Sequence, residues 1–211
     1  MKHILLSVFL SLQLLFVFSQ VEDSIKDTSY KAFDISNHAL HTKGTNELFS
    51  GSFSEKFANG NLRMTGKAVN GKFEGTITMY FENGFKKSEG IFQDGQKNGH
   101  WKLWYSNQQL KAEGNYEKGF RVSKWVIYYQ TGEKYQERLF KNGYNDGNYI
   151  SWYKDGTIRE KGKYYNGMIT GHWYSYYADE KPRSHILYDQ NGNVQIYEMW
   201  LEDGTKSEFG Y

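Results

Sequence analysis

The side chains in this 211-residue chain that could do chemistry are six histidines and a regularly spaced set of carboxylates, because cysteine is absent. Without cysteine there is no thiolate nucleophile, no Cys-ligated zinc and no disulfide. His100 and His172 hold equivalent places in a 24-residue period, three steps apart. Two strands per step at about 4.8 Å each would separate them by roughly 29 Å, too far to share a metal ion. His38 and His41 have the spacing of a helical metal pair, but no third ligand accompanies them and their segment reads as irregular. Glu89, Glu113 and Glu137 recur every 24 residues, hence about 10 Å apart on alternate strands. Glycosidases hold their carboxyls ~5 Å apart when retaining and ~6.5–9.5 Å when inverting. The glutamates therefore read as a solvated ladder, and hydrolase activity ranks last among the functions considered. No phosphate-cradling loop, Gly-x-Ser-x-Gly elbow or nucleotide fingerprint is present. The expectation is no catalytic residue, no metal ligand and no cofactor.

A second set of residues points to binding. Tyr80, Trp104, Tyr128, Trp152 and Tyr176 recur once per period. If the adjoining Asn83-Gly84 is a two-residue hairpin turn, their cross-strand partners are Lys87, Lys111, Tyr135, Arg159 and Arg183. Four of the five pairs then set a cation beside a ring, each worth about 0.5–1 kcal/mol when exposed. Rings offer apolar faces, and Lys or Arg can hold carboxylates or phosphates. Tyr80, Trp104, Tyr128, Trp152, Tyr176, Lys87, Lys111, Arg159 and Arg183 are thus the candidate ligand-binding residues.

The elements that must position them are strands. Stepping by 24 from Gly51 reaches Gly75, Gly99, Ser123, Gly147, Gly171 and Gln195, giving seven units without an insertion. Each unit has two turn signals, such as Asn83-Gly84 and Asp94-Gly95, which both read as type I′ turns. Aromatic and β-branched runs fill the intervals, and no helical periodicity follows residue 20. The predicted fold is all-β: an elongated antiparallel meander of stacked hairpins, about fourteen strands and about 65 Å long. Trp101 is expected opposite Gly114, Ile77 opposite Gly90 and Tyr149 opposite Gly162, each large side chain filling the volume a Gly leaves. With Leu103, Ile127, Leu110, Ile158 and the Tyr105-to-Tyr177 column they form a dry face. The candidate binding residues form the opposite, charged face, with Lys102 opposite Glu113.

Residues 1–19 read as a secretory signal peptide. Met1-Lys2-His3 precedes a largely apolar run from Ile4 to Phe18, and small Ser19 allows cleavage before Gln20. That run is short for a membrane span, which needs about 20 apolar residues. The mature protein is therefore expected to be secreted or periplasmic. Residues 20–50 read as a linker and a degenerate cap over the first strand's edge, and 51–211 as the seven repeats. A formal net charge of +2 gives no field to attract nucleic acid, and none is expected as a partner.

The unit from Tyr116 through Gly119 and Trp125 to Tyr129 and Gly132 resembles the MORN-repeat variant found in bacteria. Asp94-Gly95 with Gly99-His100-Trp101, and Asn166-Gly167 with Gly171-His172-Trp173, match it best. The resemblance covers 51–211, with departures at Ser123, Gln108, Glu180, Arg138 and Ile186. It implies an elongated sheet of stacked hairpins that acts as an interaction surface, sometimes at membranes. Such proteins are often labelled the antitoxin component of a toxin–antitoxin system, a label that sits badly with a secretory signal and is not carried over. The expected function is a non-catalytic secreted or periplasmic scaffold for a protein partner. The alternative is a carbohydrate- or envelope-binding module that takes cell-envelope polysaccharide or anionic head groups on the aromatic face.

Overall fold

The computed structural model describes residues 33–36 and 39–207; the leader and its cleavage point lie outside them. A short hairpin comes first, β1 (Phe33–Ser36) and β2 (Ala39–Thr42). One open sheet follows: β3 (Gly51–Lys56), β4 (Leu62–Val69), β5 (Lys72–Tyr80), β6 (Lys86–Gln93), β7 (Gln96–Trp104), β8 (Leu110–Glu117) and β9 (Phe120–Tyr128). It continues through β10 (Lys134–Lys141), β11 (Tyr144–Trp152), β12 (Ile158–Tyr165), β13 (Met168–Tyr176), β14 (Pro182–Tyr188) and β15 (Val194–Met199). These 13 strands lie in sequence order, each antiparallel to the next, so the fold is the expected meander. Twelve strand spacings make the sheet about 58 Å long. A fourteenth strand is represented only by the bridge from Trp200 to Lys206. No helix among the described residues is long and apolar enough to cross a membrane.

The two turn types differ, and that difference sets the register. Asn70-Gly71, Asp94-Gly95, Lys118-Gly119, Asn142-Gly143 and Asn166-Gly167 have positive φ at both residues, as type I′ turns require. The other turns are three-residue loops, not the expected two-residue turns. In the first of these the Phe81 amide donates to the Phe85 carbonyl at 2.8 Å, and the Gly84 amide to the Phe81 carbonyl at 2.9 Å. Only Gly84 then has positive φ, the pattern of a type I turn with a glycine bulge. Next to this loop Tyr80 pairs with Lys86, and one extra residue, Lys87, restores the register so that Met79 faces Ser88. The expected pairs in the strand body therefore hold, Ile77 with Gly90, Trp101 with Gly114 and Tyr149 with Gly162. Those beside the loop are off by one.

The first residue of each period is also not a turn residue. Gly75, Gly99, Ser123, Gly147 and Gly171 sit inside strands at φ of 73°, 64°, 58°, 115° and 66°. Each marks a bulge where the register against the preceding strand shifts, for example between Glu113 and Asn115 opposite Val126 and Val122. Ser123, Gln108 and Glu180 keep the repeat geometry despite lacking glycine, at φ of 58°, 72° and 65°.

The dry face is a ladder of rings. Phe53, Phe73, Phe92, Trp101, Tyr116 and Trp125 touch in series, with centroids 5.1–5.7 Å apart. The Arg121 guanidinium then bridges the Trp125 and Phe140 rings at 4.7 and 5.5 Å. Trp101 and Trp125 are 2% exposed. Each Trp ring leans over the glycine one strand earlier instead of the expected one a strand later. A Cβ on Gly90 would collide with Trp101, one on Gly114 with Trp125 and one on Gly162 with Trp173. Where Arg138 replaces that glycine, its guanidinium lies 5.4 Å from the Tyr149 ring centroid. Leu40 joins the start of this core, its amide donating to the Gly71 carbonyl at 2.9 Å. The 39–50 segment thus bonds to the sheet at the Asn70-Gly71 turn.

Neighbouring units are tied by hydroxyls. Tyr105, Tyr129, Tyr153 and Tyr177 each donate to the carbonyl of the aromatic residue 23 positions on, at 2.8–2.9 Å. This column, expected within the dry face, lies at the three-residue turns, where it locks one hairpin to the next.

Candidate charged aromatic face

Down the middle of the opposite face runs one unbroken cross-strand row. It reads Thr78, Glu89, Lys102, Glu113, Val126, Glu137, Ile150, Lys161, Tyr174, His185 and Glu198, each directly opposite the next. Side chains opposite one another in a sheet interact strongly enough to set such an order. Acid and base alternate at the start of the row, and the partners of its first three glutamates, Lys86, His100, Lys124 and Lys134, stand beside it.

Tyr80, Trp104, Tyr128, Trp152 and Tyr176 flank this row as expected, all half-buried. Their cations are not the expected ones. The extra residue after each three-residue turn moves Lys87, Lys111 and Arg183 onto the turn rings, 5.9 Å from Phe81, 5.4 Å from Tyr105 and 5.9 Å from Tyr177. Arg159 lies 5.1 Å from Tyr135, and its Nη2 donates to the Tyr135 hydroxyl at 3.3 Å. The binding column instead meets Lys86 and Lys134, each one residue before the expected position, and Lys161 of the central row. Lys86 lies 5.8 Å from the Trp104 ring and Lys134 5.8 Å from Trp152, while Lys161 lies 5.3 Å from Tyr176. Sequence reasoning missed Lys86 and Lys134 because it assumed two-residue turns, and Lys161 because it stands where earlier units carry Glu89, Glu113 and Glu137. The signal was there in Phe81-Glu82-Asn83-Gly84-Phe85, where Gly is the third loop residue.

The glutamates are each engaged. Lys86 donates to Glu89 at 2.6 Å and, through that hydrogen bond, holds its carboxyl below the usual range. The Tyr128 hydroxyl donates to Glu113 at 2.9 Å, and burial together with that bond pushes the phenol up to about 12. His100 Nε2 lies 3.3 Å from the other Glu113 oxygen. Glu137 is flanked by Lys124 at 3.5 Å and Lys134 at 3.6 Å. Each of these carboxylates thus has a hydroxyl, an imidazole or an ammonium group against it. Among the described residues no group of three or more His, Asp or Glu is arranged to hold a metal ion. The face can therefore offer ring edges, alternating charges and hydrogen-bond acceptors on a stiff support.

Residues 97–118, which run through β7, the Gln108 turn and β8, match the family model described as the MORN repeat variant. That stretch is similar to a single MORN-variant repeat. That description names a repeat type, and nothing in it concerns a toxin or an antitoxin. MORN repeats are a non-enzymatic module that binds proteins or membranes. No curated protein matches the chain. Among solved structures it is similar to a chain of the "Crystal structure of GtfA/B complex bound to UDP and GlcNAc", at 16% identity and a TM-score of 0.25. That alignment covers 74% of this chain and 28% of the other, and at such a TM-score it carries no argument.

Proposed function

We propose that this MORN-repeat chain is a non-catalytic scaffold, working outside the cytoplasm, that binds another protein along its charged aromatic face. One observation carries the reading: the face repeats its ring in successive units, and joins ring, lysine and carboxylate twice, as Trp104 with Lys86 and Glu89 and as Trp152 with Lys134 and Glu137, on a sheet whose turns are locked together by hydroxyls. Such a surface is pre-organised, so little ordering entropy opposes association. Its rings are half-buried and its charges paired, which suits a polar, shape-matched protein surface. The leader-like residues 1–19 support a place in the periplasm or outside the cell.

The test compares capture from an envelope extract by the parent chain and two variants, Trp104→Ala/Trp152→Ala and Lys86→Glu/Lys134→Glu, matched for folded fraction by thermal melt. A specific protein should be retained by the parent and lost by both variants, with truncation of an anchoring Trp costing about 2 kcal/mol. Undiminished capture by both would remove this face as the binding surface. Binding to a glycan array with no protein captured would turn the reading to an envelope-polymer module.

A further inference from the structure

At the C-terminal end of the central row two imidazoles meet. His172 and His185 are diagonal neighbours on β13 and β14, where Tyr174 faces His185 and His172 faces Leu187. His172 Nδ1 lies 2.8 Å from His185 Nε2, with ring centroids 5.0 Å apart and planes 20° from parallel. His185 Nδ1 lies 3.0 Å from a Glu198 oxygen, and Lys206 donates to the other oxygen at 2.8 Å. A carboxylate only accepts, so Nδ1 of His185 carries the proton and its Nε2 presents a lone pair. With the His185 ring neutral, the hydrogen bond between the rings runs from His172 to His185.

We propose that His172 and His185 are a binding site for a divalent transition-metal ion, with Cu2+ the preferred occupant, and that this is independent of the partner-binding role. On binding, the His172 proton moves from Nδ1 to Nε2 through solvent, so both rings stay neutral and each supplies one nitrogen. Imidazole suits copper, nickel and zinc, and at metal–nitrogen distances of about 2.0–2.1 Å a right-angled pair of ligands stands about 2.9 Å apart. A tetrahedral pair stands about 3.3 Å apart at the same bond length. The observed 2.8 Å fits the right-angled pair of a tetragonal ion. Two further features pre-arrange the site. Glu198 fixes the tautomer of His185 as an outer partner does for many metal-bound histidines. Tyr174 lies almost parallel to the His185 ring, 10° and 4.7 Å away, and holds it in place. His172 is exposed, so an ion can enter from solvent and water can fill its other positions. His100, at the equivalent repeat position, meets Asn115 and Glu113 but no second imidazole, and serves as the internal control.

The experiment is titration of the untagged full chain with CuCl2, followed by calorimetry and by pulsed EPR to count imidazole ligands. His3→Ala is carried in every version, since a free amino terminus with His in third place chelates Cu2+ by itself. One equivalent should bind with two imidazole nitrogens coupled to the copper. His172→Ala and His185→Ala should each remove the two-imidazole signal and lower affinity more than tenfold, while His100→Ala leaves both unchanged. Glu198→Gln should weaken binding about 10–100-fold, the usual effect of losing an outer partner. Circular dichroism confirms that each variant is folded. A two-imidazole signal that survives in His172→Ala or His185→Ala, or no stoichiometric copper in the parent, overturns the assignment.

Discussion

Ser123 occupies a backbone position that five other repeats give to glycine, and replacing it should stabilise the protein. Its φ is 58°, among Gly75 at 73°, Gly99 at 64°, Gly147 at 115° and Gly171 at 66°. A residue with a Cβ in the left-handed region loses about 1–2 kcal/mol relative to the right-handed one. Glycine also adds freedom to the unfolded chain, which opposes the gain by about 0.4–1 kcal/mol. The difference leaves Ser123→Gly stabilising by about 0.5–1 kcal/mol. The mirror substitution is Gly171→Ser. A Cβ built on Gly171 meets nothing within 4 Å, so the substitution adds backbone strain without a clash. It should cost the same amount that Ser123→Gly gains. Urea unfolding followed by circular dichroism measures both, and for a chain of this size 1 kcal/mol corresponds to about 2–4 °C in Tm. The reasoning fails if Ser123→Gly is neutral or destabilising while Gly171→Ser behaves as stated. It also fails if Gly171→Ser is harmless, since then the bulge stores no strain at either place.

Three further outcomes follow from the same geometry. Gly90→Ala should destabilise by about 1–3 kcal/mol, as overpacking does, because the new methyl collides with the Trp101 ring; denaturant midpoints check it. Tyr153→Phe removes the 2.8 Å bond from its hydroxyl to the Tyr176 carbonyl and should cost about 0.5–1.5 kcal/mol by the same measurement. The Tyr128 phenol, raised to about 12 by burial and by Glu113, is raised above its unfolded value of 10.0. Its contribution is therefore complete below pH 10 and is lost as pH rises through about 12. Tyr128→Phe should shrink the parent's loss of stability in that window and remove one late-ionising phenol from the absorbance titration at high pH. An unchanged alkaline profile would contradict the assignment.

The meander was legible because its determinants are local. A 24-residue spacing of rings and Asn-Gly or Asp-Gly pairs specifies strand, turn and order with no long-range information, and each strand pairs with its sequence neighbour. The body register was legible too, but through two offsets that cancel. The three-residue loop at Glu82-Asn83-Gly84 shifts the pairing by one, and the extra residue Lys87 shifts it back. Residues between those offsets were misplaced, and they are the ones that decide which lysine meets which ring. Lys87 and Lys86 are adjacent in sequence, yet one lies on the Phe81 turn ring and the other beside Trp104. Asn-Gly alone does not choose between the loops, since it serves as residues one and two of a type I′ turn at Asn70-Gly71 and as residues two and three of the loop at Asn83-Gly84. The in-strand bulges were hidden for a related reason. A glycine at positive φ within a strand and one that makes room for Trp101 look alike in sequence, and only the backbone separates Gly99 from Gly90. The His172–His185 contact was hidden by periodicity itself. A period draws His172 toward its equivalent His100, three units away, whereas its actual neighbour stands across the turn at a position where other units carry Glu89, Glu113 and Glu137. Repeats therefore report the common scaffold faithfully and conceal the places where one unit departs from it, as the contact of His172 with His185 does.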